Sequence, residues 1–509
     1  MGCKKILFVE LDGATWDVIN PLMARGKLPH IKRLRDNGSS GILMSEHGAI
    51  SPKIWTSMFA GKGHEKTGID FFGGNSRMVK CKRLWDIFSQ NGCRVGIFGS
   101  FATWPPYEVN GFMIPAIDSV GTETYPPEYA VFQELALNER KKSKGIEVGS
   151  LPVASTLKYA IELKKLGVRW KTYLKVLRFF VERALGYLGR HADPHWKKVL
   201  LHSDISADVF IHLCRRFQTD FATIHMHICD FLSHRYWMAY EPDLFPGVDA
   251  RLVEQYRDVI PAGYVQADKA IGRIIDSVGK EANVILVSDH GFEAKAGGFN
   301  PHEISADKLL EVLRIRGKVI AARFGPGVYL NFQDTALMEH IRDVLADAFS
   351  KKTGEKVFHV TGFENTLIVQ KPMEELRRDE ILQSNSLIDF GQYGKHKALD
   401  VYAREKQMMS GVHAEEGVII MCGPDVKTGV KLEHISFYDV APTVLSLMGF
   451  AVPKDMCGRV ITESIDEAFL KENPVRDIDT YEDQESAAKD LEEMNYGKIE
   501  ERLRSLGYL

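Results

Sequence analysis

Short apolar runs rich in β-branched residues recur along the chain. Three of them stop at polar residues of catalytic type: Ile6 to Leu11 before Asp12, Phe221 to Ile228 before Asp230, and Asn283 to Val287 before Asp289. Runs of this length predict strands buried on both faces. Between them, apolar positions follow helical spacing, as in Ile54 to Phe59 and Tyr264 to Val278. The alternation predicts an α/β fold, a doubly wound, mostly parallel sheet flanked by helices, with ligands gathered at the carboxyl ends of its strands.

The alternation breaks twice. Residues 126–205 read as a helical insertion, with helical runs at Leu157 to Leu166 and Trp170 to Leu188, and 15 Lys and Arg against 5 Asp and Glu between 138 and 200. Its stripe of Trp170, Tyr173, Leu174, Leu177, Phe180 and Leu185 is expected to pack on the main body. The sharper reading is a basic cap that attracts a phosphorylated substrate or an anionic surface. Residues 305–385 form a second insertion, with a helix at Ala306 to Arg316, a strand at Gly327 to Asn331 and a helix at Ala336 to Lys351. The expected organisation is therefore core over 1–125 and 206–462, a basic cap over 126–205, and a tail over 463–509 that serves as an arm or as a subunit contact of a homo-oligomer.

A chain of 509 residues can bury a large sheet. Its net charge of −3 argues against whole-surface affinity for nucleic acid or anionic membrane, so a polyanion must be met locally. The 7 cysteines are scattered and odd in number, which favours a reducing cytoplasm. The apolar run after Lys4 and Lys5 is too short for a signal segment, and no later stretch reaches the ~18 apolar residues of a membrane span.

The candidate chemistry lies at the strand ends. Asp12 precedes Gly13, which lets the backbone turn sharply and the carboxylate face a crevice, although an Asp here is often a helix cap, a task Thr15 or Asp17 could also take. Asp230 and His234 are four apart, so on a helix both face one ion; Asp289 and His290 are adjacent and need the bend that Gly291 supplies. His413 stands apart. Three carboxylates and three imidazoles suit Zn²⁺, with Mn²⁺ second. Ser51, before Pro52, opens a helix whose N-terminus favours an anionic oxygen, though it could merely cap that helix. His225, His227, His302 and His434 are read as structural, and His64 as lining the substrate mouth. GIFGS and AGKGHEKTG lack the order of a dinucleotide loop or a P-loop.

Together these segments resemble the alkaline phosphatase superfamily, and within it the type I phosphodiesterase and nucleotide pyrophosphatase family. The resemblance runs through FVELDGATWDVINPLMARGKLPHIKRLRDNG, SPKIWTSMFAGKGHEKTGIDFF, TWPPYEVNG, HICDFLSHRYW, VSDHGF, GVHAEEGVIIMCGP and FYDVAPTVLSLMGFAVPKDMCGR. It implies an alkaline-phosphatase-like core and two divalent metal ions. Asp230, His234 and His413 would hold one metal, and Asp12, Asp289, His290 and the Ser51 oxygen the other. It also implies that Ser51 attacks phosphorus in line and forms a covalent intermediate that water releases.

Two departures stand out. Relatives usually use threonine where Ser51 stands, and a phosphate-binding asparagine where this chain reads Gly68, Ile69, Asp70, Phe71, Phe72. Lys53 or a backbone N–H is expected to supply the missing contact. Ser51-Pro52-Lys53-Ile54-Trp55 does not fit the sulfatase formylglycine motif, so phosphate esters are preferred to sulfate esters.

The leading expectation is a two-metal phosphodiesterase, nucleotide pyrophosphatase or phosphatase acting on a small phosphorylated molecule or nucleotide. A metal-dependent phosphotransferase or mutase of the same superfamily is the alternative, and a binding protein on a retired hydrolase fold is disfavoured because every ligand type is present.

Overall fold

The computed structural model describes residues 4–46, 50–70, 74–116, 119, 121–134, 162–188, 195–245, 248–295, 302–324, 327–363, 365–370, 386–404 and 410–482. These residues fall into two compact units. The first takes in the described residues of Met1–Tyr240, Asp249–Glu293 and His413–Glu492, and the second those of Glu241–Val248 and Ala294–Val412.

The first unit is built on an eight-stranded sheet. Its strands include β1 (Lys5–Leu11), β2 (Ser39–Met44), β3 (Val95–Phe98), β4 (Gly111–Ile114), β5 (Phe221–Met226) and β6 (Ala282–Val287), with Glu416–Cys422 and Lys431–Ser436 completing it. Across the sheet the order is Lys431–Ser436, β2, Glu416–Cys422, β6, β1, β5, β3, β4. Only Glu416–Cys422 runs against its neighbours; the remaining strands share one direction.

The apolar run of β1 is continuous because both of its faces are covered. Ile6 and Phe8 join a core with Ile54, Trp55 and Phe59 of helix α3 (Ser51–Ala60). Leu7 and Val9, also fully buried, point to the opposite face, where α7 (Val259–Val278) packs on β1. The first unit also holds the helices α1 (Trp16–Ala24), α2 (Pro29–Asp36), α4 (Trp170–Leu188), α5 (His195–Phe217) and α6 (Ile228–Tyr240). This is the mixed α/β architecture expected, a large mostly parallel sheet flanked by helices. The run after residue 220 divides sooner than its apolar pattern suggests: β5 ends at Met226, and Ile228 already opens α6.

The second unit has its own sheet, with His359–Phe363, Thr366–Gln370, Gly327–Phe332 and Val319–Phe324 side by side and antiparallel. Leu309, Leu313, Val328, Leu330, Ile341, Leu345, Leu367 and Val369 form its core. The stretch read as an insertion at about 305–385 lies within this unit, whose main segment runs from Ala294 to Val412. Its second helix, Thr335–Asp347, stops short of Lys351 because Phe349–Ser350 pairs as a strand with Leu387–Asp389.

The basic segment supplies α4 and α5 to the first unit; residues 135–161 and 189–194 lie outside the described residues. The expected packing of its apolar stripe is overturned. Trp170, Leu174 and Leu177 are exposed, and the face of α4 turned inward carries Thr172 and Phe179 instead. Polar anchoring explains this: Arg169 and Thr172 bind Asp208, and Lys175 binds Asp204, both on α5. Phe180 and Leu185 are not among the described side chains.

The tail through Glu482 lies on the first unit, with Phe469 buried and Glu482 accepting from Lys62; the helical pattern at Ile499 to Leu506 lies outside the described residues. Among the described residues no helix is long and apolar enough to cross a membrane. Cys93 is disulfide-bonded, a state a reducing cytoplasm disfavours, so the scattered cysteines do not by themselves place the chain there.

Candidate active site

The carboxyl ends of β6, β1 and β5, three neighbours at the middle of the sheet, deliver the acidic residues. Asp12 follows β1 directly. Its carboxylate is not spent on capping, because Thr15 caps α1 by accepting from the Asp17 N–H. Gly13 is required on two counts: its φ is +66°, and a Cβ there would lie 2.6 Å from Phe292 and 2.9 Å from the Asp230 backbone. The turn is pinned by the Ala14 N–H donating to Ser288 Oγ and the Asp230 N–H donating to the Asp12 carbonyl.

Asp230 and His234 sit one turn apart on α6 with His234 Nε2 3.2 Å from Asp230 Oδ1. His413 comes from the strand Gly411–Ala414, and its Nε2 lies 3.0 Å from His234 Nε2 and 3.3 Å from Asp230 Oδ1. Asp289 and His290 fill the loop after β6. Gly291 serves here by close approach, with no positive φ: a Cβ would lie 2.2 Å from the Glu416 carbonyl. His290 Nδ1 meets the Gly291 carbonyl at 3.0 Å, leaving Nε2 to the site, 3.4 Å from Asp12 Oδ1 and 3.4 Å from Asp289 Oδ2.

Ser51 is the first residue of α3, and the cap position belongs to Ile50. The hydroxyl therefore does not cap the helix. Ser51 Oγ donates toward Asp12 Oδ1 at 3.3 Å and lies 3.2 Å from His290 Nε2, buried at the helix mouth, where first-turn N–H groups lack partners within the helix. Lys53, in the same first turn, holds its ammonium 2.6 Å from Glu46, whose other oxygen accepts from Tyr438. His64 opens the short helix His64–Thr67, with its side chain 42% exposed. Phe71 and Phe72 lie outside the described residues.

Among the described residues two groups of potential metal ligands emerge, Asp230 with His234 and His413, and Asp12 with Asp289 and His290. Their donor atoms fit a cation. Ligands about 2.0 Å from a tetrahedral zinc stand about 3.3 Å apart, and the separations quoted for both groups and for Ser51 Oγ run from 3.0 to 3.4 Å. Asp289 Oδ2 is buried and accepts no hydrogen bond from the described residues. The rings of His290 and His413 stack with centroids 3.5 Å apart.

Crowding shows in the ionisation of these groups. Burial and the Asp12 charge push the Asp289 carboxyl well above its usual range. Burial also works against the charged form of Asp12, as does Asp230, but the facing His225 and His290 rings prevail and hold it low. Asp230 is likewise held low against its burial, by His234 and His413. Burial opposes charge on His290, yet Asp289 and Asp12 raise it to about 10, while burial and the His290 charge lower His413 to about 4. A cation in each group would relieve both the carboxylate repulsion and the orphaned oxygen.

One participant escaped the sequence reading. His225, taken as structural, lies with Nε2 3.1 Å from Asp12 Oδ2 and Nδ1 3.1 Å from Glu10 Oε2. Glu10 is fully buried and also accepts from Ser100 and Thr223. The signal was present in an acidic residue ending an apolar run opposite an alternating histidine.

Residues 6–365 match the family model described as type I phosphodiesterase / nucleotide pyrophosphatase, which is more than half of the chain; His413 lies beyond the matched stretch. A search of curated proteins found no match. The chain belongs to the type I phosphodiesterase and nucleotide pyrophosphatase family, within the alkaline phosphatase superfamily.

Proposed function

We propose that the chain is a two-metal hydrolase of phosphate esters that works through a covalent intermediate on Ser51. The family supports phosphoric ester hydrolysis in general. The observation that carries the finer reading is the position of Ser51 Oγ, 3.3 Å from Asp12 and 3.2 Å from His290, at the mouth of α3.

Asp230, His234 and His413 would hold one cation, and Asp12, Asp289, His290 and the Ser51 oxygen the other, with Zn²⁺ the best match to the donors and Mn²⁺ second. Bound there, the cations would favour the ionised form of the serine hydroxyl and neutralise phosphoryl charge. Ser51 Oγ, its proton given up to solvent, forms a bond to phosphorus while the bond to the leaving oxygen breaks on the opposite side. Water then attacks phosphorus, the P–Oγ bond breaks, and the serine oxygen regains a proton. The N-terminus of α3 favours the negative charge that gathers around Ser51 throughout. Lys53 contacts the phosphate only after exchanging Glu46, unless a backbone N–H of α3 takes that place.

The test is metal analysis of the purified chain, then a screen of phosphomonoesters, phosphodiesters and nucleotides after chelation and restoration of each ion. Release of phosphate or nucleoside monophosphate on restoring Zn²⁺ or Mn²⁺ supports the reading. Transfer of phosphate to an alcohol with none set free would favour a mutase and overturn it.

A further inference from the structure

Helix α4 turns a line of large apolar side chains to solvent. Trp170 is 72% exposed, Leu174 46%, Leu177 60% and Val181 49%, four of the eleven exposed large hydrophobics among the described residues. At about 100° per residue these four positions fall within an arc of about 60° and extend for about 16 Å along the helix. Thr172 and Phe179, on the opposite side, are buried toward α5. Lys171 and Arg178 lie along one edge of the stripe, and α4 as a whole carries Lys171, Lys175, Arg178 and Arg183 against Glu182, with Arg178 paired to Glu182 and Lys175 to Asp204.

We propose that this face of α4 docks in the plane of an anionic lipid surface. An apolar stripe edged with basic residues, with a tryptophan at one end, matches the interfacial helix that buries its apolar side among acyl chains and keeps its cations at the headgroups. The helix lies on such a surface, since no described helix is suited to cross one. Charge argues against an antiparallel second copy as the occupant: a two-fold contact of that kind through this stripe would set its basic edge near its own image. The overall charge of −3 confines the attraction to this patch. The inference goes beyond the hydrolase reading, because α4 supplies none of the residues assigned to the candidate site.

The test is co-sedimentation of the full chain with vesicles of phosphatidylcholine alone and of equimolar phosphatidylcholine and phosphatidylserine. The chain should pellet with the mixed vesicles, bind the neutral ones about tenfold or more weakly, and come off at high salt. The paired substitution Leu174→Glu and Leu177→Glu should lower binding about tenfold or more while the thermal midpoint holds, and Lys171→Glu alone should lower it by a smaller factor. Failure of the wild-type chain to bind mixed vesicles overturns the proposal. So does equal binding by the paired variant, or a concentration-dependent dimer that the paired variant abolishes.

Discussion

Glu10 and His225 are register partners on the neighbouring parallel strands β1 and β5, and their side chains meet at 3.1 Å beneath the candidate site. Side chains two residues apart share a face, so the strand that aims Glu10 at His225 also brings Asp12 to the other ring nitrogen. The imidazole is thus clamped between two carboxylates, with Trp55 and Phe101 edge-on against it. Histidines and carboxylates held this way fix the orientation of the group they touch.

Replacing Glu10 by Gln keeps the shape and removes the charge that clamps His225. Cation affinity and hydrolysis should both fall, by about 10- to 100-fold. Calorimetric titration with Zn²⁺ reads the first independently of turnover. Unchanged affinity would show that the Glu10 contact serves packing alone.

Lys53 gives a second prediction, because its ammonium is shared with Glu46. Lys53→Ala should raise KM for a phosphate ester about tenfold with a smaller change in kcat, as for a group that contacts the phosphate equally in ground and transition states. Steady-state kinetics with an aryl phosphodiester checks it. A kcat/KM equal to that of the unaltered chain would assign the phosphate contact to backbone N–H groups.

Away from the site, Asp204 predicts how stability responds to acid. Burial works against its charge, but Lys175 and Arg273 outweigh burial and hold its carboxyl below the ordinary value of 3.8. A carboxylate with a lowered folded-state pKa contributes stability above the unfolded value and loses it as pH falls through the folded one. Asp204→Asn should therefore cost about 3 kcal/mol near neutrality, and the difference between the two proteins should shrink below about pH 4. Urea unfolding across that range measures it; a difference that is constant with pH would remove Asp204 from the account.

Much of the architecture was legible because the central strands are buried on both faces, which writes them as continuous apolar runs, and because the residues that follow them are ones a strand interior rejects. Asp230 and His234 were readable as a pair since helical spacing alone brings them together. Partners distant in the chain were not. Nothing local to Lys53 reveals Glu46, and an alternating histidine at His225 looks the same whether it meets a backbone carbonyl or Asp12. The stripe on α4 misled for a related reason: helical periodicity identifies an apolar face without saying which side is anchored, and here Asp204 and Asp208 anchor the other one.

The most direct measurement is mass analysis of the Ser51 peptide after acid quench during turnover of a phosphate ester with Zn²⁺ or Mn²⁺ restored. A phosphoryl adduct on Ser51 is predicted, absent in Ser51→Ala, which should lose about 1,000-fold or more of the activity while still binding cations through Asp230, His234 and His413. Full activity in Ser51→Ala, with no adduct on the unaltered serine, would contradict the account.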